Sequence, residues 1–234
     1  MTDARHVLIT GVSRGIGAHL VGHYLAQHDI VIGCARGVAP TTHERYIHAQ
    51  LDVSDEAAVR GLLSDVRRRF GRLDVLINNA GVAAMNPVAL TPAESARQIV
   101  ATNLMGTFLF TQAGIRLLRR SVAGRIVNLT TVAVPLRLEG EAMYAASKSA
   151  VETFTRIVAR EVAAFGITCN AVGPSPIQTA LTRGVPLAKI ERLIAGQAIP
   201  RWATNDDVTN IIDFFLRPQS AMVTGQVVYL GGAG

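Results

Sequence analysis

Seven short apolar runs, at residues 6–10, 30–35, 46–51, 73–77, 125–129, 167–172 and 227–230, punctuate this 234-residue chain. Between them lie longer stretches with apolar residues at helical spacing, such as Leu20, Val21, Tyr24 and Leu25. A strand that is apolar along its whole length must be covered on both faces, and parallel strands joined by crossover helices meet that need. Right-handed crossovers place the helices on both sides of the sheet. The pattern predicts an α/β fold built on a doubly wound parallel sheet of seven strands. In sheets of this kind a ligand lies beyond the carboxyl ends of the strands. Residues that leave those ends are therefore the first candidates for function.

Composition narrows the classes. The chain is 49% hydrophobic with a mean hydropathy of +0.30, which suits one packed domain over residues 1–234. No apolar run approaches the roughly 20 residues that cross a bilayer. Met1 to Arg5 lead straight into the first run, leaving no room for a signal peptide, so a cytoplasmic protein is expected. Cys34 and Cys169 each fall in a strand-like run, as buried free thiols would. The net charge of +6 raises the question of nucleic acid. The arginines are dispersed, however, and Arg67, Arg68 and Arg69 close a predicted helix, where cations complement the macrodipole. No nucleic acid or membrane partner is expected; the surplus suits an anionic cofactor or an acidic carrier protein.

After the first run comes Gly11-Val12-Ser13-Arg14-Gly15-Ile16-Gly17, and a helix predicted to reach His28. Glycines at a strand-to-helix turn let the backbone approach a pyrophosphate, and the free N–H groups of the helix start attract its charge. The second run ends at Arg36, where a dinucleotide site commonly carries an acid for the ribose 2′-hydroxyl. With Arg14 and Arg36 in that neighbourhood, a 2′-phosphate is favoured, hence NADPH/NADP+ over NADH; the alternative is that both are solvated surface charges.

Further along, Ser54 is expected to cap a helix running to about Phe70, stopped by Gly71. Asn78-Asn79-Ala80-Gly81 leaves the fourth strand, where small and amide residues let a cofactor lie close and can bond neighbouring backbone. Thr91-Pro92 opens one helix predicted to continue to about Arg120, with Asn103 in its interior. That Asn is either a satisfied surface amide or a residue that loosens the helix and holds a water. The fifth strand delivers Thr130 and Thr131 to the ligand edge. Between Gly173 and Thr204 four prolines bracket an amphipathic piece at 186–195, read as a lid over about 174–204. A final helix starts at Asn205-Asp206-Asp207.

Tyr144 and Lys148 stand at i and i+4 on a predicted helix, so their polar heads project from one face. Lys148 is one of two lysines, against 21 arginines. A cation beside a phenol stabilises phenolate and lowers its pKa from about 10. A Tyr at a helix start followed by a solvated Lys is the plain alternative.

Taken together, the glycine turn Thr10 to Gly17, Asp52-Val53, Asn78 to Gly81, Asn103, Thr130-Thr131, Tyr144 with Lys148, and 174–179 resemble the short-chain dehydrogenase/reductase family across essentially the whole chain. The closest look is to 3-oxoacyl-[acyl-carrier-protein] reductases. The resemblance implies a single Rossmann-like domain that exchanges hydride between a nicotinamide and a carbonyl/alcohol pair. It makes Tyr144 the proton donor, with Lys148 lowering its pKa and bonding the nicotinamide ribose. Asn103 would hold a water linking Lys148 to solvent. Asp52 and Val53 would flank the adenine, Asn79, Ala80 and Gly81 would line the adenosine, and Ile177 and Thr179 would hold the carboxamide. Substrates implied are small carbonyls, a 3-oxoacyl thioester on acyl carrier protein or coenzyme A among them, and the assembly a homotetramer or homodimer. A sugar, cyclic or polyketide carbonyl is the rival substrate, and a non-catalytic cofactor-binding regulator the rival class. Two positions depart from the family pattern: Thr131 replaces the usual Ser, which adds a methyl to the pocket, and Ser175 stands where Gly often follows Pro174.

Overall fold

A computed structural model describes residues 4–179, 182 and 185–232. Seven parallel strands form one sheet in the order β3-β2-β1-β4-β5-β6-β7. They are β1 (His6–Thr10), β2 (Ile30–Ala35), β3 (Tyr46–Gln50), β4 (Val75–Asn78), β5 (Arg125–Leu129), β6 (Thr168–Gly173) and β7 (Val227–Tyr229). The order reverses between β1 and β4, which opens a crevice at their carboxyl ends. Strands β1, β4, β5 and β6 are buried at every position, as their unbroken apolar runs require.

The helices are α1 (Gly15–Ala26), α2 (Glu56–Phe70), α3 (Ala93–Val100), α4 (Gly106–Leu118), α5 (Ala133–Leu136), α6 (Ala142–Val162), α7 (Leu187–Ala195) and α8 (Asn205–Leu216). On one face Leu20, Tyr24, Ile212 and Phe215 of α1 and α8 pack with Val7, Ile9 and Val127 of the sheet. On the other, Leu62, Val66, Phe110, Leu118 and Val158 of α2, α4 and α6 cover Leu8, Ile32, Leu76 and Ile126. Alternate residues of each strand thus feed two separate cores. The doubly wound expectation holds. Cys34 and Cys169 are free and buried in strands; burial pushes both thiols up to about 12. Among the described residues no helix is long and apolar enough to cross a membrane.

Several boundaries differ from those read in the sequence. α1 ends at Ala26 rather than His28, whose φ of 65° has left helical geometry. Ser54 does not cap α2, because its N–H and hydroxyl both donate to Asp52 Oδ1, at 2.9 and 2.7 Å. Asp55 takes the cap, accepting from Ala58 N at 3.1 Å. Thr91 likewise turns back, donating to the carbonyls of Asn86 and Pro87, so α3 begins after Pro92. The single helix expected over 91–120 is broken by a π turn at Ala101–Met105 with Asn103 at its centre. The expected α8 start is right, with a reciprocal capping box between Thr204 and Asp207. The amphipathic piece at 186–195 is helix α7. Residues 180, 181, 183 and 184 of the predicted lid, with the start at 1–3 and the glycine-rich tail at 233–234, lie outside the described residues.

Candidate active site

A cavity of about 900 Å³ opens at the carboxyl ends of β1, β4, β5 and β6. Of the residues to which the sequence individually assigns a catalytic or cofactor-binding role, all but Gly17 and Asn103 line it. The two exceptions sit directly behind the wall and shape it.

One wall is backbone. Gly11 has φ 75°, and a Cβ there would lie 2.7 Å from Ala80 Cα. A Cβ on Gly17 would overlap the Gly11 carbonyl oxygen. The turn and the helix start are therefore packed closer than any side chain permits. Asn79 and Thr10 fasten this contact. Asn79 Nδ2 donates to the carbonyls of Thr10 and Gly11 at 2.9 and 3.1 Å, while Thr10 Oγ1 accepts from Asn79 N and Ala80 N. The Asn79 amide is committed to the loop; it holds the wall in place. No side chain caps α1, so its first-turn N–H groups are left for a ligand at Ser13, Arg14, Gly15 and Ile16.

At the far end of this wall Arg36 and Asp52 face each other at 3.9 Å, with the Arg36 side chain 65% exposed. The Ser54 hydroxyl, foremost, holds the Asp52 carboxyl below its ordinary range, and Arg36 adds to this. Arg36 is thus only loosely engaged.

The opposite wall is made of side chains. Tyr144, Lys148 and Thr131 are 8%, 3% and 9% exposed. Lys148 Nζ donates to the Leu129 carbonyl at 2.7 Å. Burial alone pulls its ammonium down to about 8. Burial likewise pushes the Tyr144 phenol up to about 12; a hydrogen bond with Thr131 works against the rise and the Glu141 carboxylate adds to it. In this arrangement burial, Thr131 and Glu141 set the phenol, and Lys148 does not enter. With the ammonium turned to the Leu129 carbonyl, desolvation of both groups dominates.

Asn103 is buried behind this wall and fully engaged through its amide hydrogens. Its Nδ2 donates to the Val82 carbonyl at 2.9 Å and to Ser147 Oγ at 3.0 Å, and its Oδ1 accepts from Val82 N at 2.8 Å. Both amide hydrogens are used, so the side chain braces the structure around it. It ties α6 to the loop after β4, and the π turn is where the helix deforms to let it do so. A Cβ on Gly81 would be 3.4 Å from both Asn103 Oδ1 and Lys148 Nζ, so Gly81 sits between them.

Sequence reasoning missed Glu152, Ser147 and Glu141. Glu152 is 4% exposed, and its Oε1 accepts from Thr130 Oγ1 and Tyr229 Oη, both at 2.7 Å. It joins α6, β5 and β7 one residue from Thr131. Its place one turn beyond Lys148 on the same helix face is the signal that would have found it. Ser147 donates to the Tyr144 carbonyl at 2.7 Å and accepts from Asn103. Ser175, the second departure, is buried and donates to Gln197 Oε1 at 2.7 Å, anchoring the segment before α7.

The fold and this cavity define a class, and comparison with known proteins gives the same one. A family model described as "Enoyl-(Acyl carrier protein) reductase" matches residues 11–232, and the chain belongs to the short-chain dehydrogenase/reductase family. It is an oxidoreductase acting on carbonyl or hydroxyl groups. Among its relatives, the 3-oxoacyl-[acyl-carrier-protein] reductase FabG of Escherichia coli is 30% identical over 98% of this chain and 97% of its own length. The enzyme of the same name from Pseudomonas aeruginosa is 31% identical over 96% and 95%. The ligand-free aldohexose dehydrogenase of Thermoplasma acidophilum superposes with a TM-score of 0.89 at 26% identity, covering 98% of this chain and 93% of that one.

Proposed function

We propose that the protein is an NADPH-dependent reductase of carbonyl groups. The observation that carries this reading is that three polar groups, Tyr144, Thr131 and Lys148, are buried together on one wall of a cavity whose other wall is the glycine turn. When bound, the nicotinamide cofactor supplies or accepts the hydride. The cradle fits such a group, since the close packing at Gly11 and Gly17 brings the turn and the uncapped N–H groups of the α1 start to the cavity edge, where a pyrophosphate would meet them. Arg14 and the loosely held Arg36 suit a 2′-phosphate. Asp52 and Val53 would border the adenine, Ala80 and Gly81 the adenosine, and Ile177 and Thr179 the carboxamide.

On the side-chain wall, Tyr144 donates its proton to the substrate oxygen as negative charge develops there, and the Thr131 hydroxyl adds a second hydrogen bond. At about 12 the phenol is fully protonated at neutral pH, the state a proton donor requires. Lys148 supplies positive charge to the phenolate that results and hydrogen bonds to the ribose. Asn103 and Ser147 hold α6 so that these groups face the cavity.

We read residues 1–234 as one cofactor-binding domain with a lid over about 174–204, cytoplasmic and assembled as a homotetramer or homodimer. The curated relatives point to a 3-oxoacyl thioester, on acyl carrier protein or coenzyme A, as substrate. A hydroxylated carbonyl of the sugar class is favoured instead by the Glu141 carboxyl in the cavity wall, and the structural likeness to an aldohexose dehydrogenase lends it support. The test is NADPH and NADH consumption against a panel of acyl thioesters and free ketones. Tyr144→Phe should lose about 10²–10⁴-fold in turnover while still binding NADPH in a fluorescence titration. A variant that keeps its rate would remove Tyr144 from its role. No oxidation by the wild type across the panel would leave a cofactor-binding protein without turnover.

A further inference from the structure

Glu141 occupies the position just before α6, one turn ahead of Tyr144, and lines the same cavity. Its backbone is fully used: the N–H donates to the Leu138 carbonyl at 3.2 Å, and the carbonyl accepts from Ala145 N at 2.7 Å. Its side chain is not. It makes no capping bond, and among the described residues it has no hydrogen-bond or ion-pair partner. The carboxyl is nevertheless partly buried, and that burial raises its pKa, with Lys189 of α7 acting in the opposite sense from across the cavity. Lys189 is itself exposed on the lid helix and not within ion-pair distance.

A half-buried carboxyl that lines a ligand cavity and has no donor from the described residues is free to accept one that a ligand brings. Residues at i and i+3 on a helix lie about 5–6 Å apart at their Cβ atoms, so Glu141 and Tyr144 address neighbouring atoms of one bound molecule. The wall on that side combines Met85, Val132, Leu138, Val185 and Leu193 with the polar side chains of Glu139, Lys189 and Arg192. Of the two carboxylates there, Glu139 and Glu141, it is Glu141 that stands one turn ahead of Tyr144, where a donor on the substrate would lie beside the reacting carbonyl.

We infer that Glu141 is a specificity-determining residue that accepts a hydrogen bond from a substrate hydroxyl, so that the preferred substrates are ketones or aldehydes bearing a hydroxyl within one or two carbons of the carbonyl. The inference rests on the carbonyl-reductase reading and narrows its substrate class. A site built around such an acceptor discriminates by leaving it unpaired when the analogue lacks the hydroxyl.

The experiment compares 3-hydroxybutan-2-one with butan-2-one, two ketones that differ by one hydroxyl, and includes acetoacetyl-coenzyme A. In the wild type the hydroxylated ketone should lead in kcat/KM by about 10–100-fold, the span that a hydrogen bond to a charged acceptor supplies. Glu141→Ala should bring the ratio close to one. Glu141→Gln, which keeps an acceptor oxygen, should restore part of it. Using the ratio cancels any effect that Glu141 exerts on both ketones through Tyr144. A ratio that Glu141→Ala leaves unchanged would overturn the inference, as would a wild type that prefers acetoacetyl-coenzyme A and loses that preference in Glu141→Ala. Calorimetric binding of butane-2,3-diol against butan-2-ol gives a readout independent of turnover. If no ketone is reduced but the diol binds better and only with Glu141 present, the reductase reading fails and the hydroxyl subsite stands. Equal binding of the two alcohols by wild type and Glu141→Ala sinks the subsite.

Discussion

The two walls of the cavity are built on opposite terms. The glycine wall uses main chain: Gly11 packs on Ala80 and Gly17 on Gly11 so closely that neither glycine could carry a Cβ, and Asn79 spends its amide on holding them there. The wall around Tyr144 uses side chains that are buried, charged or polar, and incompletely partnered, with Lys148 on a carbonyl and Glu141 on nothing among the described residues. A backbone wall recognises what is common to a class of ligands and tolerates little change. A side-chain wall carries the chemistry and the choice of substrate, and its pKa values answer to what is bound.

The sharpest way to break the contrast is on the rigid side. Gly17→Ala drives a methyl into the Gly11 carbonyl oxygen and places it 2.6 Å from Asn79 Nδ2. Overpacking of this kind costs about 1–3 kcal/mol. A lower midpoint in thermal or urea unfolding, with weakened NADPH binding, is expected; a variant with wild-type values for both would mean the wall yields more than its packing implies.

The side-chain wall should respond to pH instead. Lys148 titrates at about 8 in the free protein, so its positive charge is present below that value and lost above it. Apparent affinity for NADPH, followed as kcat/KM for the cofactor, should fall with rising pH above about 8 along a single-proton limb that Lys148→Met abolishes. Stability runs the other way. The folded protein gives up the Lys148 proton before the unfolded chain does, so unfolding free energy rises between about 8 and the ordinary lysine value near 10.4. Opposite trends in binding and stability over the same window are the signature; parallel trends would assign the limb to another group.

Glu152 tests whether the side-chain wall has its own frame. Glu152→Ala leaves the Thr130 and Tyr229 hydroxyls without their acceptor, which should cost on the order of 1–3 kcal/mol. Loss of kcat with little change in KM for NADPH would show the damage confined to that wall. The smallest effect is expected at the cofactor's far end. Arg36 is 65% exposed, so Arg36→Asp should shift the NADPH:NADH preference by about the several-fold that a surface charge pair supplies. An unchanged preference would take Arg36 out of cofactor choice.

The asymmetry also explains which residues are legible in the sequence. Glycines at 11, 15 and 17 point to a close backbone approach because they fall between an apolar run and a helix; a glycine turn without that context is commonplace. Asn103 stands out as a poor helix former, but its partners Val82 and Ser147 are 21 and 44 positions away, and no local pattern names them. The π turn follows from those distant contacts rather than from propensity. Ser54 and Thr91 mislead for a related reason: a hydroxyl that can cap a helix can equally turn back to an upstream oxygen, and their neighbours decided for the second.

From sequence alone the order of strands and helices, the parallel sheet, the glycine turn and the pairing of Tyr144 with Lys148 could be derived, because each rests on periodicity or on backbone geometry that specific residue types enforce. Tertiary structure decided how deeply Tyr144 and Lys148 are buried, where the ammonium points, that Asn103 is a brace, and that Glu141 lines the cavity without a hydrogen-bond partner among the described residues. Burial and hydrogen-bond partnership depend on segments brought together from across the chain. The free energy of a charge is set by that surrounding, not by its place in the sequence.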